Sequence, residues 1–225
     1  MGTYAVGDAT KDCIKNTART LFYEQGVSSV SDAVICREAG VQRGLVGYHF
    51  GNRGGLVAAI YHEYVEALRE TVERRFPTND PALAYCILEY LLVDCLHRNE
   101  RLRRFYVDII AYPEVSDDEV RVQHEQLSKI LARKTGSCDI TKLKIAVTLS
   151  QGAFNEMIRC IESGYLDGEL DELLAVDLRM SMSLVDVHGA EAEDLLRKTI
   201  EMTEGHRLAV GKTLRPRIMK ANPTL

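Results

Sequence analysis

No uninterrupted apolar stretch reaches the ~18 residues that a membrane-spanning helix needs, so no membrane partner is expected. The N-terminus lacks a charged run followed by an apolar one, so no secretory leader is read there and a cytoplasmic chain is expected. Proline is scarce, at 5 of 225 residues, and long alternating Val/Ile/Thr runs are missing, so no strand is predicted. The cysteines, Cys13, Cys36, Cys86, Cys95, Cys138 and Cys160, include no C-x-x-C pair; most occupy core-like helical positions and read as free thiols in a reducing compartment. Enzyme signatures are also wanting. There is no G-x-S-x-G, no G-x-x-x-x-G-K and no G-x-G-x-x-G. The run from His62 to Glu66 departs from H-E-x-x-H at its last ligand, and Asp94 with His97 has no second carboxylate-x-x-His copy of the kind a di-iron bundle requires. No catalytic residue, metal or cofactor is therefore assigned.

What the chain does have is apolar residues at a spacing near 3.6 along most of its length, with 46% hydrophobic content, enough for a core. An all-α fold is predicted. The helices are expected at residues 10–25, 31–39, 42–49, 53–75, 81–98, 99–112, 117–135, 139–163, 169–187 and 190–203. Asp80 before Pro81 is a helix-start signal, while Pro77 and Pro113 are stops and Gly136, Gly164 and Gly189 are breaks. Residues 1–9 read as a mobile arm and 205–225 as a basic, poorly ordered tail.

The stretch from Ser31 to Arg53 organises the rest. Ser31 is an N-cap type, Val34, Ile35 and Cys36 supply apolar positions, and Gly40 can take the left-handed backbone that ends a helix. Val41 then plugs the angle before a second short helix, which offers Gln42, Arg43, Leu45 and Tyr48 outward and Val46 and Phe50 inward. Two helices joined by such a turn form a helix-turn-helix, whose second member fits a DNA major groove. Net charge is −5, a balance that by itself speaks against nucleic acid. Through residue 55, however, six Lys/Arg stand against five Asp/Glu, so DNA binding would rest on a local patch and on two copies of it. The run Arg98, Arg101, Arg103 and Arg104 reads as a solvated face, or as a tie between domains through acids of the first or fourth helix.

These residues resemble the DNA-binding domain of the TetR family of bacterial transcriptional regulators. Thr10, Ile14, Ala18, Leu21, Phe22 and Gly26 follow its first helix; Ser31, Ile35, Ala39, Gly40 and Val41 its second; Tyr48, His49, Phe50, Asn52, Arg53 and Leu56 the close of its third helix and the start of its fourth. Two positions depart from the pattern: Gly47 stands where many members have Tyr, and Arg53 replaces the usual Lys. The resemblance implies a helix-turn-helix domain over 10–55 and a helical-bundle ligand-binding and dimerisation domain over 56–204. It implies a homodimeric regulator, expected to be a repressor, on a palindromic double-stranded DNA operator, released by a small-molecule effector. The DNA-facing residues would be Ser31, Gln42, Arg43, Gly44, Leu45, Tyr48, His49 and Arg53.

The implied inducer cavity lies among the fourth to eighth helices, where Tyr64, Tyr85, Cys86, Tyr90, Phe105, Tyr106, Tyr112, Asn155 and Met157 are apolar walls with polar tips, suited to a mostly apolar or aromatic molecule. The dimer is expected on the eighth and ninth helices through Val147, Phe154, Ile158, Ile161, Leu173, Leu174, Met180 and Leu184, with Leu143 and Leu170 on the same stripes and Gly152 and Ala153 permitting close approach. Two alternatives stay open: a ligand-independent adaptor whose body binds another protein, and a helical-bundle metalloenzyme with a DNA-binding head.

Overall fold

Ten helices and one β-hairpin, in a computed structural model, account for residues 2–137, 139–166 and 170–221; the side chains of 2–6, 170 and 171 are outside the description. Cys138, the side chain of Leu170 and residues 222–225 of the expected tail lie outside the described residues. The helices are α1 Gly2–Gln25, α2 Asp32–Glu38, α3 Leu45–Phe50, α4 Arg53–Arg75 and α5 Pro81–Arg98. They continue with α6 Glu100–Ile109, α7 Pro113–Thr135, α8 Ile140–Glu162, α9 Leu170–Ser183 and α10 Ala190–Thr203.

Local chemistry explains most of these limits. Asp80, Asn99 and Asp139 each turn a side-chain oxygen onto the first free amides of α5, α6 and α8. Pro113, expected only to stop a helix, is the first residue of α7, where a missing N–H and a fixed φ are harmless. The segment expected as an arm is helical: α1 runs from Gly2 through Thr10 without a break, and no proline interrupts it. α9 ends at Ser183 rather than 187, ahead of Asp186 at a φ of 64°.

The tail is the clearest departure. β1 His206–Ala209 and β2 Arg217–Lys220 pair antiparallel, His206 opposite Lys220 and Ala209 opposite Arg217. Leu208, Val210 and Leu214 are buried, and the Val210 carbonyl accepts from the Tyr23 hydroxyl at 3.3 Å and from Asn99 Nδ2 at 2.9 Å. A strand of four residues shows too little alternation to be read as one, and five basic residues between Arg207 and Lys220 gave it the look of a solvated tail.

One apolar core runs from Ile14, Phe22, Ile35 and Leu56 in the first domain to Leu96, Phe105, Leu127 and Ile158 in the second. α4 belongs to both, packing on α1 and α3 at one end and on α5 and α7 at the other. The expected dimer residues Val147, Phe154, Ile158, Ile161 and Leu174 are part of this core, at 0–8% exposure, which corrects their assignment to a subunit interface. Leu173, Met180 and Leu184 are half-buried. The exposed apolar stripe of α8 is instead Ile145 and Leu149 with open Gly152, about 180° round the helix from Phe154 at ~100° per residue, and α9 adds Val176.

Candidate nucleic-acid interface and the cavity behind it

The turn between α2 and α3 is built by its glycines. Gly40 at φ 67° lets Val41 N donate to Cys36 O at 2.9 Å and Gly40 N to Arg37 O at 3.1 Å, the paired bonds of a Schellman closure. Gly44 at φ 93° is the N-cap of α3. A Cβ on Gly44 would meet nothing within 4 Å, so its backbone conformation rather than crowding requires glycine. α3 starts at Leu45, so Gln42 and Arg43 precede it on the exposed turn instead of occupying its first positions. Tyr48 is 80% exposed, Val46 is buried, and Leu45, His49 and Phe50 are half-buried. His49 lies edge-on to Tyr48 at 4.9 Å, and the Lys11 ammonium stands 5.6 Å from the Phe50 ring centroid. Ser31 caps α2, accepting from Val34 N at 3.3 Å.

Arg53 is the residue whose expected role the geometry overturns. Its guanidinium donates to Asp32 at 2.7 Å, to the Tyr112 hydroxyl at 3.1 Å and to the carbonyls of Val27 and Val30, and it lies over the Phe22 ring. Every donor nitrogen is engaged inside the protein, so Arg53 shapes the domain rather than reaching outward. Lys15 and Arg19 are likewise turned inward onto Glu63 of α4, leaving Lys11, Arg37 and Arg43 as the outward cations of the first 55 residues.

A dense joint connects this domain to the body. Asp108 at the end of α6 accepts from Val27 N at 2.7 Å and Ser28 N at 3.3 Å, and Arg104 donates to Glu24 O at 2.9 Å. Asn52 Nδ2 meets Glu114 at 3.2 Å. Of the arginine run, Arg104 alone makes the inter-domain tie, and to a carbonyl rather than an acid. Arg103 holds Glu162 at 2.6 Å and Arg98 holds Asp94 on its own helix. The acid that serves the joint is Asp108.

Behind the joint, two adjoining cavities lie within the fourth-to-eighth-helix body. The outer, about 340 Å³, is walled by Val72, Phe76, Tyr85 and Leu88; the inner, about 60 Å³, by Tyr61, Tyr64, Tyr106, Phe154, Glu89 and Glu119. Both include Arg69, Leu88 and Gln126. Of the expected ligand residues, Tyr64, Tyr85 and Tyr106 line these spaces. Asn155 stands behind the inner one, accepting from Tyr106 at 2.7 Å. Phe105 and Cys86 are core, Tyr112 belongs to the Arg53 cluster, and Tyr90 and Met157 line neither cavity.

Sequence reasoning missed the acids here. Glu119 accepts from Tyr61 at 3.0 Å, Tyr106 at 2.9 Å and Gln151 at 3.1 Å. Burial holds its carboxyl above the usual range despite these bonds. Burial, with Asp177 and Glu119 nearby, pushes Glu89 up to about 8, and burial raises Asp177 to about 6. On a single helix such residues look like the polar side of an amphipathic pattern, and only the packing of α4, α7 and α9 around them makes them interior.

Residues 14–60 match the family model described as bacterial regulatory proteins, tetR family. The HTH-type transcriptional regulator AcrR of Shigella flexneri is 32% identical over 103 residues, 45% of this chain and 47% of AcrR, so the chain spans about half the length of that curated relative. Among solved structures, RolR in complex with resorcinol superposes with a TM-score of 0.62 at 20% identity, over 87% of this chain and 95% of RolR. SmeT, the repressor of the Stenotrophomonas maltophilia multidrug efflux pump SmeDEF, gives 0.56 at 23% identity over 79% of this chain and 90% of SmeT. At these identities the structural likeness speaks for the fold: a helix-turn-helix domain on a helical body.

Proposed function

We propose that this chain, a TetR-family transcriptional regulator, represses from a palindromic operator as a homodimer and is released by a small, mostly apolar or aromatic effector bound among the helices α4 to α8. The observation that carries the reading is the exposed turn and helix from Gln42 to Tyr48, tied by the Asp108 and Arg53 clusters to a body with a cavity of about 340 Å³, within the range of small-molecule sites. RolR with resorcinol makes an aromatic effector a reasonable first trial.

In this reading Arg43 reads a base edge or a phosphate, Gln42 a base edge, and the Tyr48 hydroxyl a phosphate. With few outward cations per protomer, tight binding needs two copies of α3 about 34–36 Å apart on successive grooves. The second copy would come from pairing of the α8 and α9 faces that carry Ile145, Leu149, Gly152 and Val176. An effector that contacts Tyr106 on α6 acts two residues from Asp108, so a small shift of α6 would be felt at Val27 and Ser28 and would alter the angle of the first domain. It acts by preferring the arrangement in which the two recognition helices no longer match the groove spacing.

The test is selection of bound sequences from random double-stranded DNA, followed by titration of Arg43→Ala on the enriched site. Two-fold-related half-sites should emerge, and Arg43→Ala should weaken binding about tenfold to a hundredfold, the effect of one base contact at ~1–3 kcal/mol. Failure to enrich any sequence would remove the reading.

A further inference from the structure

The inner cavity holds more acid and more unmet polar groups than release by a neutral aromatic molecule would use. Glu89 of α5 and Glu119 of α7 line it at 6% and 3% exposure, and Asp177 of α9, also buried, adds its field to Glu89. Among the described residues no Lys, Arg or His makes an ion pair with any of the three. The other charged lining groups are Glu66 and Arg69 on α4. Arg69 is held by Glu66 at 2.9 Å and faces Glu125 at 3.8 Å and Glu73 at 4.0 Å, so three acids surround its charge although its buried Nε makes no hydrogen bond. α6 and α8 contribute only the neutral Tyr106, Gln151 and Phe154.

Two buried side chains that line this cavity, Tyr64 of α4 and Gln123 of α7, have polar atoms with no partner. The Tyr64 hydroxyl, on a residue 3% exposed, bonds to nothing, and neither does Gln123 Oε1, on a residue 7% exposed. Gln123 Nε2 donates to the Tyr85 hydroxyl at 3.4 Å, which leaves its Oε1 as an acceptor with no donor. Buried polar atoms are nearly always satisfied in folded proteins, so two orphans on lining residues, in a cavity whose Glu89 and Glu119 have no cation partner, mark a place for a donor that arrives from outside.

We propose that the inner cavity receives the head of an organic cation, a protonated amine or amidinium, whose apolar body occupies the adjoining cavity along Phe76, Tyr85 and Leu88. The proposal rests on the reading of the body as an effector site and names the effector's chemical class. N–H donors on a positive centre match Glu89, Glu119 and Gln123 Oε1, and the faces of Tyr61, Tyr64, Tyr106 and Phe154 suit a desolvated cation. Glu89, raised to about 8 by burial with Asp177 and Glu119, carries its proton at neutral pH in the empty cavity. Arrival of the cation favours the carboxylate, and the proton passes to solvent. Affinity for a permanently charged ligand therefore rises with pH up to about 8, by as much as tenfold per unit for one linked proton.

The full chain, without DNA, is titrated calorimetrically with benzamidine, which is an amidinium across the working range, and with neutral benzamide of the same shape. Benzamidine is expected to bind at least tenfold more tightly than benzamide. Its affinity should rise about fivefold to tenfold between pH 6.5 and 7.5, and proton release should appear as a heat that changes with the ionisation enthalpy of the buffer. Glu89→Gln, close in shape, should weaken benzamidine at least tenfold and leave benzamide within twofold. The proton-release measurement on the unaltered chain stands even if that variant folds poorly. Equal affinity for the two probes, tighter binding of benzamide, binding of neither at millimolar concentration, or benzamidine binding without proton release would each overturn the proposal. Because these titrations contain no DNA, their failure leaves operator binding standing, whereas failure of the random-DNA selection removes the regulator reading.

Discussion

The guanidinium of Arg53 reaches from the first turn of α4 to Asp32, to the carbonyls of Val27 and Val30 and to the Tyr112 hydroxyl, so one planar fork joins α2, the segment before it and the start of α7. Lysine keeps the charge but, as a compact point, cannot serve those directions at once. Arg53→Lys is expected to lower stability by about 1–3 kcal/mol in urea unfolding, the range for hydrogen bonds to charged groups lost from a partly buried site. An unchanged midpoint would return Arg53 to the surface role its sequence position suggests. Glu89 sets a pH dependence at the same scale. Its folded pKa of about 8 lies above the ordinary 4.5, so between those values the native state holds a proton that the unfolded chain has released. Stability must therefore fall as pH rises from about 5 to 8, by at most ~1.4 kcal/mol per pH unit from this group, with Asp177 adding a smaller fall up to about 6. Glu89→Gln should flatten that slope in unfolding curves collected across the interval; a slope equal to that of the parent would exclude Glu89 as its source.

At the scale of elements, the start of α4 depends on a glycine that carries no positive φ. A Cβ on Gly55 would lie 2.1 Å from the Phe50 carbonyl oxygen, and Gly55 N donates to Asn52 Oδ1 at 2.7 Å, so α3 and α4 meet with no room for a side chain. Gly55→Ala must displace backbone, and a loss of about 1–3 kcal/mol is expected, with amide exchange of α3 accelerated before that of α8. Gly40 makes the contrast. It has open space around it but a φ of 67°, so alanine there is disfavoured by ~1 kcal/mol through backbone strain alone. Ser31, the N-cap of α2, was legible as a cap from residue type and position, whereas Asn52, the N-cap of α4, was legible only as part of the family-like entry to that helix. The inward turn of Lys15 and Arg19 was not, because Glu63 lies more than forty positions away in the chain and meets them only when α1 packs on α4.

For the whole molecule the proposed dimer would pair through the outer side of α8 and α9. Leu149→Glu places a charge at a position 51% exposed in the protomer, and is expected to raise the dimer dissociation constant at least tenfold in sedimentation, with helix content retained. Phe154→Glu buries a charge in the protomer core instead, and should unfold the body rather than separate subunits. Dimers of unchanged affinity in Leu149→Glu would place the interface elsewhere.

Residue types and short-range spacing determined the all-α architecture, the limits of α4, α5 and α10, the caps at Ser31, Asp80 and Asp139, and the helix-turn-helix with Arg43 and Tyr48 outward. Each depends on contacts within a few positions along the chain, where the periodicity of a helix and the chemistry of its ends are written directly. Which face of an amphipathic helix meets its own protomer was decided only by tertiary packing: the strongest apolar stripe of α8 became core and the weaker one remained exposed. The same holds for Arg53, for the hairpin formed by residues 206–220, and for the enclosure of Glu89, Glu119 and Asp177. Their partners are distant in the chain, and a charge is desolvated only when several helices close around it.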